Sequence, residues 1–121
     1  DLEKDKRLIS VLERLERDGF TLCCATNSVR HSAIVQLTRR GFIDHLEFVF
    51  TNQDVVNPKP NTEIYLRCMI KAGVSPKETI ILEDSELGRR GARETGSPVL
   101  EIEDSTDVTY RKIRKFIDNV K

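Results

Sequence analysis

From residue 2 to 18, Leu8, Ile9, Leu12 and Leu15 recur at helical spacing with charged residues elsewhere, which predicts an amphipathic helix stopped by Gly19. Phe20-Thr21-Leu22-Cys23-Cys24-Ala25 then reads as a short buried strand. Thr26-Asn27-Ser28 breaks it, with Ser28 as the expected N-cap of a helix over 29–40 that Gly41 stops. Leu46-Glu47-Phe48-Val49-Phe50 is a second strand, followed by a loop from Thr51 to Pro60 whose rigid part is Asn57-Pro58-Lys59-Pro60. A helix over 62–72 ends at Gly73, Ser75-Pro76-Lys77-Glu78 makes a turn, and Thr79-Ile80-Ile81-Leu82 is the clearest strand of the chain. Glu83-Asp84-Ser85 opens a helix running to about Thr95, with Gly96 as its stop. Ser97 to Ile102 is a fourth strand. The last helix, about 107–120, carries Val108, Ile113, Phe116, Ile117 and Val120.

Helices and strands therefore alternate strictly, with short connections. That order predicts an α/β fold, a doubly wound parallel sheet with helices on both faces. The pattern shows no internal repeat, linker or low-complexity stretch, so residues 1–121 read as a single domain.

Composition narrows the function. The chain has 121 residues, with 20 Lys plus Arg against 20 Asp plus Glu and a formal net charge of zero. This balance argues against nucleic-acid binding through a bulk basic surface. No apolar run approaches the roughly 20 residues that span a bilayer, and the charged start Asp1-Leu2-Glu3-Lys4-Asp5-Lys6-Arg7 is not a signal peptide. Cys23, Cys24 and Cys68 are an odd set without metal-finger spacing, so a disulfide framework is not expected and a reducing, cytoplasmic setting is. Neither nucleic acid nor membrane is an expected partner.

In open parallel sheets the ligand binds outside the carboxyl ends of the strands. Three polar groups follow strands here: Thr26-Asn27-Ser28, the Asn57 to Pro60 loop, and Glu83-Asp84-Ser85. The first lies at a helix N-terminus, where free N–H groups and the helix dipole attract anions; plain helix capping is the competing reading. Lys59 stands between two prolines that limit its backbone freedom, so its ammonium is presented to a phosphate or a carboxylate, unless it is simply solvated. Two adjacent acids after an apolar strand repel one another unless a cation compensates. Magnesium, a hard ion, takes one or two carboxylates with waters and phosphate oxygens; stabilisation of a helix start is the alternative. Together a hydroxyl and amide cluster, a lysine and a carboxylate pair match a magnesium-dependent phosphoryl-transfer site.

These segments resemble the haloacid dehalogenase superfamily. Thr21-Leu22-Cys23-Cys24-Ala25-Thr26-Asn27-Ser28 looks like its motif II. Asn57-Pro58-Lys59-Pro60 with Thr62-Glu63-Ile64-Tyr65 resembles the motif III region. Ile80-Ile81-Leu82-Glu83-Asp84-Ser85, followed by Gly88, Ala92 and Gly96, is similar to motif IV. Order, spacing and flanks agree over nearly the whole chain and point to the subgroup of small phosphatases and β-phosphoglucomutases. The resemblance implies a magnesium-dependent phosphatase or phosphomutase that acts on a small phosphorylated metabolite through an aspartyl-phosphate. In it Thr26 binds the transferring phosphoryl group, with Asn27 and Ser28 adding contacts. Lys59 orients the nucleophile and stabilises charge, and Asp84 binds magnesium with Glu83 beside it.

The family's motif I, a strand ending in Asp-x-Asp that supplies the nucleophile and the general acid/base, has no counterpart in this sequence. Asp1, Glu3 and Asp5 follow no apolar strand, and Glu101-Ile102-Glu103 is only a loose echo. In the family fold that strand lies mid-sheet, between the strands placed here at 20–25 and 79–82. The expectation is thus the C-terminal portion of a core, without its central first strand or a cap, and inactive alone. Three arrangements are open: an N-terminal segment or second chain supplies the strand, the flanking strands pair directly, or the chain is a non-catalytic remnant acting as a structural or binding module. A weaker rival is a cysteine-dependent phosphatase, since Cys24 to Arg30 fits Cys-x5-Arg between a strand and a helix. Arg89, Arg90 and Arg93 stand where the family tends to have small residues and are expected either in solvent or against a partner chain.

Overall fold

The computed structural model describes residues 3–120. Its helices are α1 (Lys6–Arg17), α2 (Arg30–Arg40), α3 (Glu63–Ala72), α4 (Glu86–Arg93) and α5 (Tyr110–Val120); its strands are β1 (Cys24–Ala25), β2 (Val49–Phe50), β3 (Ile81–Glu83) and β4 (Val99–Glu101). The alternation expected from the pattern is present throughout. Asp5 caps α1 by accepting from the Leu8 N–H, and α1 buries Leu8, Val11 and Leu15. Gly41 and Gly73 end α2 and α3 in the left-handed region, where a side chain would be strained. The expected cap at Ser28 is not realised. Val29 is the N-cap of α2 and makes no side-chain bond, because the Thr26 hydroxyl draws the Ser28 N–H into a tight turn at 3.1 Å.

The strands are shorter than the apolar runs that announce them. They form two parallel ladders rather than one continuous sheet. Cys24 pairs with Val49 and Ala25 with Phe50; Ile81, Leu82 and Glu83 pair with Val99, Leu100 and Glu101. The two-residue alternation of a strand sorts side chains onto opposite faces. Ile80, Leu82, Leu100 and Ile102 join α1 and α5 in one core, with Leu8, Val11, Leu15, Ile113 and Ile117. Ile81 and Val99 join α3 and α4 in the other, with Ile64, Tyr65, Met69 and Ala92, and Ala25 and Phe50 pack against it. Helices thus cover both faces, as a doubly wound fold requires. Burying each large aliphatic side chain contributes roughly 1.5–3 kcal/mol, which makes these two cores the main hold on the strands.

No ladder joins β1 to β3, so the direct pairing of the flanking strands does not occur. The Cys24 and Thr26 N–H groups donate toward β2, to the carbonyls of Phe48 and Phe50. By alternation, Cys23 and Ala25 turn their backbone groups to the opposite flank. On β3 the Ile81 N–H and the Glu83 carbonyl face β4, which turns Ile80 and Leu82 away from it. Each ladder therefore has an open flank, and Cys23, Cys24, Ala25 and Leu82 are exposed or only half-buried. These are the positions a central strand would cover.

Candidate active site

The carboxyl ends of β1 and β3 converge on Lys59. Its loop is fixed before its side chain acts. Asn27 clasps the Lys59 peptide from both sides: its Oδ1 accepts from the Lys59 N–H at 3.1 Å and its Nδ2 donates to the Lys59 carbonyl at 3.3 Å. Upstream, the Glu63 carboxylate at the start of α3 accepts from the N–H groups of Val56 and Asn57. It also pairs with Arg67 at 2.6 Å. The Arg67 hydrogen bond first, then the two backbone N–H groups, hold the Glu63 carboxyl at about 2. The Lys59–Pro60 peptide is cis.

So placed, the Lys59 ammonium donates to the Ala25 carbonyl at 3.0 Å and to Glu83 Oε2 at 2.8 Å. It therefore touches the end of each ladder. Glu83 is buried and fully engaged. Its Oε2 also accepts from the Tyr65 hydroxyl at 2.6 Å, and its Oε1 from the Asp84 N–H and the Ser85 hydroxyl. Burial pushes the Glu83 carboxyl up, but the Lys59 and Tyr65 hydrogen bonds outweigh it and hold the group below its ordinary value. Burial first, then the bond to Glu83, raises the Tyr65 phenol, which stays a neutral donor.

Helix α4 reaches this cluster only because it carries glycines. A Cβ on Gly88 would lie 2.2 Å from the Glu83 carboxyl carbon, and one on Gly91 would lie 2.7 Å from the Pro60 carbonyl. Ser85 caps α4 by accepting from the Gly88 N–H at 3.0 Å.

Of the two acids, Asp84 is the available one. It is exposed, and its carboxylate has no hydrogen-bond partner among the described residues. Glu83 is already neutralised by an internal cation. Among the described residues no three His, Cys, Asp or Glu side chains gather as metal ligands. An exposed carboxylate such as that of Asp84 is the kind of group a hard divalent ion takes as one ligand, beside waters and phosphate oxygens.

At the β1 end the Thr26 hydroxyl oxygen accepts from the Ser28 N–H, which leaves its own proton free to donate. The Asn27 side chain is committed to Lys59, so only its backbone N–H remains for a ligand. The Ser28 side chain is exposed beside it.

The cysteine-phosphatase reading gains nothing from the geometry. Burial pushes the Cys24 thiol up, away from a thiolate. Arg30 pairs with Asp54 rather than curling toward Cys24. Arg89 is neither in solvent nor free for a partner chain: its guanidinium donates to the Ile102 carbonyl at 2.7 Å and the Glu83 carbonyl at 3.4 Å, at the ends of β4 and β3. Arg93 lies near Glu86 and Glu101.

Sequence reasoning gave no role to Tyr65, Glu63 or Gly91. The available signal was a phenol on the same helical face as Ile64, Cys68 and Met69, since a buried hydroxyl needs a partner.

Comparison with known proteins identifies the family. The profile of the haloacid dehalogenase-like hydrolases matches residues 3–102. A phosphorylated carbohydrates phosphatase of Thermotoga maritima is 26% identical over 95 residues, 78% of this chain and 44% of that protein. The crystal structure of a haloacid dehalogenase phosphatase from Thermococcus onnurineus superposes with a TM-score of 0.81 at 26% identity, covering 93% of this chain and 57% of that one. A β-phosphoglucomutase from Clostridium difficile shares the fold, with a TM-score of 0.78 at 18% identity over 93% of this chain and 56% of that one. The chain spans less than half the length of the curated relatives it matches. Among the described residues no helix is long and apolar enough to cross a membrane. With its profile match running from the first helix to the last strand, the chain belongs to the haloacid dehalogenase-like hydrolase family.

Proposed function

We propose that this chain supplies the C-terminal part of a phosphoryl-transfer site, in a phosphatase or phosphomutase that acts on a small phosphorylated metabolite. The observation that carries the reading is the position of Lys59. Its ammonium lies between the Ala25 carbonyl and Glu83, at the carboxyl ends of two separate ladders, with the free Asp84 carboxylate next in the chain. A strand entered between β1 and β3 brings the nucleophilic aspartate to that point, from an N-terminal segment or a second chain.

The residues of this chain then divide the work. The free Thr26 proton, the Asn27 backbone N–H and the exposed Ser28 hydroxyl bind phosphoryl oxygens; the first N–H of α2, on Arg30, is already taken by Gln53. Lys59 neutralises charge on the nucleophile and the transferring group. Asn27 holds the Lys59 peptide in register, and Glu83 holds the ammonium in place. Asp84 is one ligand of a magnesium ion, which when bound neutralises phosphate charge and helps align the reacting groups. Relatives named as a phosphorylated carbohydrates phosphatase, a pyrophosphatase and phosphoglycolate phosphatases support a small phosphorylated metabolite as the substrate class.

Hydrolysis of p-nitrophenyl phosphate by the protein expressed with its natural flanking sequence tests the reading. Magnesium-dependent turnover, lost in Asp84→Asn and absent from the 121-residue chain, is the expected result. Turnover by the 121-residue chain alone contradicts it. If the longer protein neither turns over nor binds magnesium, the non-catalytic binding module replaces it.

A further inference from the structure

Asp84 is free at its carboxylate but not at its backbone. The peptide that joins Glu83 to Asp84 is held on both sides. Its N–H donates to Glu83 Oε1 at 3.2 Å, and its carbonyl accepts from the Ile102 N–H at 3.2 Å and from Arg89 Nε at 3.4 Å. The same guanidinium donates to the Ile102 carbonyl at 2.7 Å, so one planar side chain bridges the carboxyl ends of β3 and β4. On the other side of Asp84, the Ser85 carbonyl accepts from the Arg89 N–H at 2.9 Å. Arg89 therefore grips the chain before Asp84 with its side chain and after it with its backbone. Ion pairing does not account for its place. The Arg89 side chain is 16% exposed, against 46% for Arg93, and its pair with Glu86 one turn back is loose at 3.9 Å. The two strand-end carbonyls do account for it, because a guanidinium carries several donors in one plane whereas a lysine ammonium is a single point.

We propose that Arg89 is a positioning residue for Asp84: by fixing the 83–84 peptide against the end of β4, it aims the free carboxylate at a divalent ion. This rests on the reading of Asp84 as a magnesium ligand. A ligand whose backbone is fixed beforehand loses less freedom when it takes up the ion. Groups that orient metal ligands typically carry roughly 10–100-fold in affinity. The positive charge of Arg89 works in the opposite direction, since it repels a nearby cation. A variant that keeps the charge and loses the two-carbonyl bridge therefore isolates the positioning effect.

The test is Mn2+ binding by the protein with its natural flanking sequence, read from the EPR signal of the free ion, beside urea unfolding of each variant. In Arg89→Lys the dissociation constant is expected to rise about tenfold or more, while Arg90→Lys, at an exposed position, binds as the wild type does. An unchanged constant in Arg89→Lys, even with earlier unfolding, overturns the proposal, because the bridge then serves the strands alone. If Arg89→Lys does not fold, Arg89→Gln takes its place. Loss of the positive charge favours the ion there, so weaker binding still marks the lost positioning, and equal or tighter binding overturns it. Asp84→Asn separates the two claims. Binding lost in Asp84→Asn but kept in Arg89→Lys overturns this inference alone. A wild type that binds no Mn2+, or binding unchanged in Asp84→Asn, overturns the reading of Asp84 and this inference with it.

Discussion

Lys59 Nζ lies 2.8 Å from Glu83 Oε2, with the two side chains only 10% and 8% exposed. A buried pair of this kind is costly to break from one side, because the surviving charge loses its partner inside the protein. Lys59→Met and Glu83→Gln are therefore each expected to destabilise the chain, by about 3 kcal/mol. The double variant should cost clearly less than the sum of the two. Urea unfolding of all four proteins measures this coupling; additive effects would mean that the two groups do not share one interaction.

The same carboxylate makes stability depend on acid. The Glu83 carboxyl lies below its ordinary 4.5 in the folded chain, so the unfolded chain binds its proton more readily. Its contribution is complete above 4.5 and is lost as the pH falls through the lower folded value. Glu63, held at about 2, acts with the same sign. Unfolding midpoints are expected to fall between pH 4.5 and pH 2 in the wild type, and to fall less steeply in Glu83→Gln or Glu63→Gln. Parallel curves for all three proteins would count against these two groups.

Tyr65 is a neutral donor to a buried carboxylate. Tyr65→Phe keeps the ring and removes that bond, with an expected loss of roughly 1.5–3 kcal/mol, the range for hydrogen bonds to charged groups. Thermal unfolding reads it directly. A change under 0.5 kcal/mol would mean that the phenol's interactions with Glu83 and the Gly88 carbonyl contribute little net stability.

Gly88 and Gly91 set the distance of α4 from the site. Alanine ordinarily strengthens a helix interior by about 1 kcal/mol over glycine. Here both substitutions are expected to destabilise instead, since Gly88→Ala displaces the Glu83 carboxyl and Gly91→Ala meets the Pro60 and Asn61 carbonyls. Overpacking of this kind costs roughly 1–3 kcal/mol. A raised unfolding midpoint in Gly91→Ala would show that the 60–61 loop yields freely.

Element order and helix faces were legible because they rest on local periodicity: Leu8, Leu15, Ile113 and Ile117 are buried as their spacing indicates. The meeting of Thr26, Asn27, Lys59 and the Glu83-Asp84 pair was legible from a rule about strand ends. Strand length was not, because it depends on a partner strand: within residues 20–23 the tie to the neighbouring run is the Leu22 carbonyl accepting from the Glu47 N–H at 2.7 Å. Nor was the division of labour within the site. That Glu83 neutralises Lys59 while Asp84 stays free depends on which residue of the pair points into the α3 face. The clasp of Asn27 on Lys59 joins residues 32 positions apart, and no single segment announces it.

The central claim is that a strand belongs between β1 and β3, and amide hydrogen exchange resolved by NMR tests it most directly. In the 121-residue chain the amides of Ile81 and Glu83, which face β4, should be protected, while those of Ala25 and Leu82, on the open flanks, should exchange rapidly. In the protein with its natural flanking sequence all four should be protected. Ala25 and Leu82 already protected in the shorter chain, or still unprotected in the longer protein, would contradict the claim.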